Sequence, residues 1–126
     1  MNAVTKKGIK EGADRLVKNE NFRRGTIELA VLAVLHRKDM YGYEIVKSIA
    51  ELSDGNYTTP IGTLYPVLYR FTESGFVSDR DEIVNKRLRK YYHLEDAGKQ
   101  YFQEMLTEYR KIVTGIDLIV NDDFAP

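Results

Sequence analysis

At 126 residues and 14.6 kDa the chain has the length of one domain with appended helices, and its 43% apolar content is enough for a core under a surface that is 30% charged. The absence of cysteine excludes disulfides, thiolate metal sites and a cysteine nucleophile. A formal net charge of zero excludes a uniformly basic polyanion binder, but the charges are segregated along the chain.

Residues 1–24 carry Lys6, Lys7, Lys10, Arg15, Lys18, Arg23 and Arg24 against Glu11, Asp14 and Glu20. Lys86, Arg87, Arg89 and Lys90 cluster without an acid, whereas residues 95–126 are acidic in balance. That division suits a polyanion-binding face on one part and a different surface elsewhere. The longest apolar run, Leu29 to Leu35, is far short of the roughly 18 residues a membrane span needs. No charged-then-apolar leader precedes a small-residue cleavage site, so a cytoplasmic protein without a membrane partner is expected. His36 and His93 lack zinc-type spacing, and Asp79 and Asp81 lie on a polar strand where solvation explains them. Neither a metal, a cofactor nor a catalytic constellation is expected.

In chain order, residues 1–21 are a basic arm in which Ile9, Ala13, Leu16 and Val17 recur at helical spacing while Gly8 and Gly12 weaken the helix. A frayed arm and a helix that docks on a dimer are both open readings. Arg23 and Arg24 fit a DNA-backbone clamp and a solvated loop equally. Thr26 to Arg37 leaves almost no polar face, which predicts a central helix covered on most sides. Asp39-Met40 reads as a turn. A second helix is expected from about Tyr41 to Leu52, with Tyr43, Ile45, Val46, Ile49 and Leu52 inward, and Ser53-Asp54-Gly55-Asn56 turns the chain.

Thr58 to Gly75 reads as a third helix. Thr58 or Thr59 suits the N-cap, Pro60 the first helical position, and Gly75 the exit into a strand. Ile61, Leu64, Tyr65, Leu68 and Phe71 form one apolar stripe. The opposite face, with Gly62, Thr63, Pro66, Tyr69, Arg70 and Glu73, is small, polar and aromatic, as a close-approach surface requires.

After Gly75 the period changes from helical to two. Phe76 to Val84 and Arg87 to Leu94 read as strands joined at Asn85-Lys86, with Leu88, Tyr92 and Leu94 on one side and Arg87, Arg89, Tyr91 and His93 on the other. Asp96 to about Val120 is a long helix whose apolar residues exceed what one small domain covers. Pairing with its own copy, through Tyr101, Met105, Leu106, Tyr109, Ile112, Val113, Ile116 and Ile119, is the expected solution. Gly115 either permits close helix approach or marks a bend, and residues 121–126 read as a frayed tail. Helix, helix, turn, helix and hairpin make a mainly α (α+β) winged helix-turn-helix at 22–94, followed by a dimerisation helix at 95–120.

The runs Gly42-Tyr43-Glu44-Ile45, Gly62-Thr63-Leu64-Tyr65-Pro66-Val67-Leu68 and Arg89-Lys90-Tyr91-Tyr92-His93-Leu94, with Gly98 after them, resemble the PadR family of bacterial transcriptional regulators over about residues 22–120. The size and single C-terminal helix resemble the family's shorter branch. The resemblance implies a homodimeric winged-helix repressor that binds a near-palindromic operator, often beside its own gene, and is released by a small aromatic or hydrophobic effector. Two departures stand out. Asn85, Lys86 and Arg87 replace the usual Gly-Arg wing tip, and Glu95-Asp96 replaces the usual Thr cap, so Asp96 is expected to cap the last helix one residue later.

In a helix-turn-helix the N-terminal part of the second helix enters the major groove. Thr58, Thr59, Gly62 and Thr63 then hold a phosphate at the positive end of the helix dipole or touch a thymine methyl. Gly62 serves close approach or relieves crowding by Pro66 four residues on. Arg70, the only cation on this helix, is the candidate for a guanine. Tyr65 reads as core with its hydroxyl at the surface or as a phosphate contact; Tyr69 lies nearer the open face. Tyr41 is a candidate backbone donor, and Tyr43 is expected in the core. Lys86, Arg87, Arg89 and Lys90 read as phosphate or minor-groove contacts over the bland reading of a solvated tip. Tyr101, Phe102, Met105 and Tyr109 fit a dimer core or an effector pocket. A winged-helix module for protein interaction without DNA binding is the alternative, suggested by the zero net charge.

Overall fold

A computed structural model describes residues 25–124; the expected arm at 1–21, with Arg23 and Arg24, lies outside them. The first helix, α1 (Ile27–Arg37), carries buried Ile27, Val31, Leu32, Val34 and Leu35 and packs against the following helix, the last helix and the last strand. Strand β1 (Met40–Tyr41) follows, then α2 (Gly42–Leu52) and α3 (Ile61–Glu73). Strands β2 (Val77–Val84) and β3 (Arg87–Leu94) form the wing, and α4 (Asp96–Val120) leaves the body as the longest element before a 3-10 turn at Asn121–Phe124. The sheet is antiparallel in the order β1-β3-β2. One core joins α1, α2, α3 and the base of the sheet, with Leu32, Ile45, Leu64, Leu68 and Phe71 fully enclosed.

Several expectations are corrected. Asp39-Met40 is not a plain turn, because Met40 is buried and pairs with Tyr92 while Tyr41 pairs with Tyr91, so the sheet has three strands. In α2 only Gly42, Ile45 and Ile49 are buried; Tyr43 and Leu52, expected inward, are 65% and 53% exposed because the helix contacts the core along a narrow stripe. On α3 the stripe is Leu64, Val67, Leu68 and Phe71, with Ile61 packed at its edge, and Tyr65 lies half exposed beside it. Leu88 is 70% exposed although it shares a sheet face with buried Tyr92 and Leu94, since the wing runs past the end of the core.

The ends of α3 follow from local chemistry. Pro60, extended at φ −67° and ψ 148°, holds the cap position expected of Thr58 or Thr59 and stands outside the helix, and its carbonyl accepts from the Thr63 and Leu64 N–H groups. Gly75 at φ +76° ends it. Its N–H donates to the Thr72 carbonyl and the Phe76 N–H to the Phe71 carbonyl, the paired pattern of a left-handed C-terminal cap. The Phe71 and Phe76 rings, 6.2 Å apart, supply the apolar contact that accompanies it. At the wing tip Asn85 and Lys86 both have positive φ, 51° and 65°, the signature of a two-residue type I′ hairpin. Glu95, and not Asp96, holds the cap position of α4, and Asp96 opens the first turn where a carboxylate suits the dipole.

Candidate nucleic-acid interface

The buried stripe of α3 presses its N-terminal half outward. Gly62, Thr63 and Pro66 are exposed there, as are Thr58 and Pro60 just before the helix, while Tyr69 and Arg70 are exposed toward its C-terminal end. Thr59 is corrected: at 5% exposure it is a packing residue and offers its side chain to no outside partner. A Cβ added at Gly62 would meet no atom beyond its own helical neighbours within 4 Å, so no packing among the described residues requires glycine at that position. Pro66 has no N–H for the Gly62 carbonyl, which therefore lacks its helical donor on the exposed side. Arg70 has no carboxylate partner among the described residues.

Between the wing, the start of α2 and α3 runs a groove of about 430 Å³ lined by Tyr41, Tyr43 and Tyr65 on one side and Arg87, Arg89 and Lys90 on the other. Tyr65 owes its position to Gly42, since a Cβ there would stand 2.8 Å from the Tyr65 hydroxyl oxygen. Arg87, Arg89 and Lys90 of the wing thus share one surface with Tyr41, Tyr43 and Tyr65, while Lys86 and Tyr69 do not line it. Three tyrosine rings and three cations line it, a cationic surface suited to phosphate oxygens.

One part of the wing went unnoticed in the sequence. Asp39, just before β1, accepts from Arg80 of β2 and, at 2.7 Å, from Nδ1 of His93 of β3. Burial pushes the Asp39 carboxyl up, but the hydrogen bonds and charges of His93 and Arg80 outweigh it and hold its pKa below the ordinary aspartate value. Arg80 also donates to Glu82, and Ser78 donates to Glu95 at the head of α4. The register of β3 with both neighbours, which sets Met40 opposite Tyr92 and Ser78 opposite His93, brings Asp39 beside His93 and the β2 residues.

On α4, Tyr101, Phe102 and Met105 pack against the core of their own chain. Tyr101, proposed for both interface and effector, stacks on Phe76 and so belongs first to the intrachain core. Phe102, Leu106 and Tyr109 line a second groove, of about 650 Å³, together with Leu29 of α1 and Tyr57 and Thr58 of the α2–α3 connection. Beyond it Ile112, Ile116, Leu118 and Ile119 are exposed, while Val113 is about one-third exposed. Among the described residues no group of His, Asp and Glu is arranged to hold a metal, and no helix is long and apolar enough to cross a membrane.

Residues 31–104 match the model of the transcriptional regulator PadR-like family. The chain belongs to the PadR-like family of transcriptional regulators. It is 36% identical over 83 residues to the transcriptional regulator YqjI of Escherichia coli, covering 66% of this chain and 39% of that protein. It is 29% identical over 87 residues to the negative transcriptional regulator PadR of Bacillus subtilis, covering 68% and 48%. The chain thus spans less than half the length of these curated relatives. Among solved structures, a transcriptional regulator from Clostridium thermocellum superposes with a TM-score of 0.74 at 27% identity, covering 80% of this chain and 99% of that one. Bacillus subtilis PadR in complex with operator DNA superposes with a TM-score of 0.60 at 29% identity, covering 64% and 46%. PadR-like proteins are regulators and not enzymes, and the winged helix described above is their fold.

Proposed function

We propose that this PadR-like chain is a homodimeric repressor that binds a near-palindromic operator through the exposed face of α3 and the cationic wing. The observation that carries the reading is the single groove in which Arg87, Arg89 and Lys90 face Tyr41, Tyr43 and Tyr65. The wing supplies charge that α3, with Arg70 as its one cation, lacks. Residues 22–94 act as the DNA-binding unit and 95–120 as the dimerisation helix. An isolated α4 would leave Ile112, Ile116, Leu118 and Ile119 in water, and a two-fold partner removes that exposure. The operator complex of Bacillus subtilis PadR supports DNA as the partner.

A small hydrophobic or aromatic effector fits the second groove, where Phe102, Leu106 and Tyr109 face Tyr57 and Thr58. An occupant there touches the segment that leads into α3, so it acts on the spacing or tilt of the two reading helices. Footprinting on the DNA upstream of the gene tests the reading. Two protected half-sites about one helical turn apart are expected. A folded protein that protects no upstream DNA contradicts it. The exposed Ile83–Leu88 pair of the wing favours the second reading, a protein-interaction module; unchanged DNA affinity after alanine substitution of Arg87, Arg89 and Lys90 would support that module instead.

A further inference from the structure

Arg89 stands directly opposite Glu82 in the β2–β3 register, where an arginine and a glutamate ordinarily pair. They do not pair here. Glu82 accepts from Arg80 Nε at 3.2 Å, and Arg80 is itself anchored to Asp39 and lies over the Tyr91 ring at 5.4 Å. Among the described residues no carboxylate takes the Arg89 guanidinium. It sits instead over the Tyr41 ring, 4.4 Å from its centroid, and the Tyr91 ring meets Tyr41 edge-on at 5.6 Å. Arg89 is accordingly half-buried, whereas Arg87 and Lys90 are exposed. A ring face attracts a cation without offering it the lone pairs of a carboxylate, so the guanidinium is held in place while its charge stays uncompensated.

We propose that Tyr41 is a positioning residue, whose ring fixes the Arg89 guanidinium for a phosphate of bound DNA while Arg80 keeps Glu82 away from it. The proposal rests on the DNA-binding reading above. It gives Tyr41 a role through its ring, where the sequence suggested a hydroxyl donating to the backbone. It also makes Arg89 the preordered member of the wing cluster, with less side-chain freedom to lose on binding than Arg87 or Lys90.

The test uses the full chain and a mixed-sequence duplex of about three helical turns at low salt, where phosphate contacts dominate. R89A weakens binding about tenfold and Y41L about threefold, while Y41F stays within about twofold of the parent. In the R89A background Y41L costs nothing further. In the free protein the Arg89 side-chain resonances carry a ring-current shift that survives Y41F and disappears in Y41L, with circular dichroism showing that both variants fold. Losses from Y41L and R89A that multiply, a Y41F loss as large as that of Y41L, or no ring-current shift in the parent each overturn the proposal and leave the DNA-binding reading standing. A folded parent chain that binds no duplex overturns that reading, and the proposal with it.

Discussion

The Tyr101 ring of α4 lies flat on Phe76, with centroids 4.4 Å apart and planes 13° from parallel. Phe76 is the first residue after the α3 cap, and its carbonyl accepts the Glu95 N–H at 2.9 Å. The last helix is therefore fastened at the point where α3 hands over to the wing. Gly98 makes the approach possible: a Cβ there would collide with the Phe76 carbonyl and stand 2.6 Å from Leu94 Cδ1. Because the obstacle includes backbone, G98A is expected to cost about 1–3 kcal/mol through overpacking. Thermal unfolding of the variant reads the loss; an unchanged midpoint would refute the packing argument.

Gly62 gives the opposite outcome. Among the described residues no side chain or backbone beyond its own helical neighbours lies within 4 Å of the Cβ that alanine would add, and alanine favours a helix over glycine by up to about 1 kcal/mol. G62A is expected to fold at least as stably as the parent and to bind DNA more weakly, because the added methyl obstructs a close approach from outside. Stability and affinity measured on the same sample check it. Parent-level affinity would show that Gly62 faces nothing in the complex.

Lys86 occupies a left-handed conformation at φ +65° that glycine adopts without strain. Replacing it relieves about 1–2 kcal/mol of crowding, against about 0.4–1 kcal/mol for the added freedom of the unfolded chain. K86G is thus expected to stabilise the fold by between nothing and about 1.6 kcal/mol. The same change removes a wing cation, so the slope of log affinity against log salt falls by about 0.9 if Lys86 meets one phosphate. A salt titration separates the two effects, and an unchanged slope would remove Lys86 from the interface.

The Asp39 cluster predicts an acid-side response. His93 and Arg80 hold the Asp39 carboxyl below its ordinary value, with Glu82 and Glu95 as the other acids at the cluster. A folded-state pKa below the unfolded one contributes stability that is present above the unfolded value of about 3.9 and is lost as pH falls through the folded value. D39N should destabilise the chain near neutral pH and flatten the decline below about pH 4. The effect is modest, because Asp39 and Arg80 remain partly in water. Denaturant unfolding of both chains across that range provides the check, and parallel curves would deny Asp39 the role.

The helices were legible because their apolar residues recur at helical spacing, and the wing because its turn residues and period change are local signals. What escaped reading depends on where the core ends. Leu88 fits the inward face of β3 by alternation, yet the wing extends past the core and leaves it in water. Tyr65 fits the α3 stripe by spacing, yet Val67 takes the buried place and Tyr65 leans over Gly42. Met40 carries no strand signal in a two-residue segment; only Tyr92, far along the chain, makes it one. The candidate cations were legible singly, but their grouping with Tyr41 and Tyr65 needed the register that brings β3 beside the start of α2.

Sequence-specific DNA binding by the α3 face and the wing together is tested by a fluorescence-anisotropy titration of the full chain with a duplex from upstream of its own gene, against a mixed-sequence duplex of equal length, across a salt series. Tighter binding of the upstream duplex is expected, with affinity for both falling steeply as salt rises. Equal affinity for the two duplexes, or none for either from a folded protein, would contradict the account.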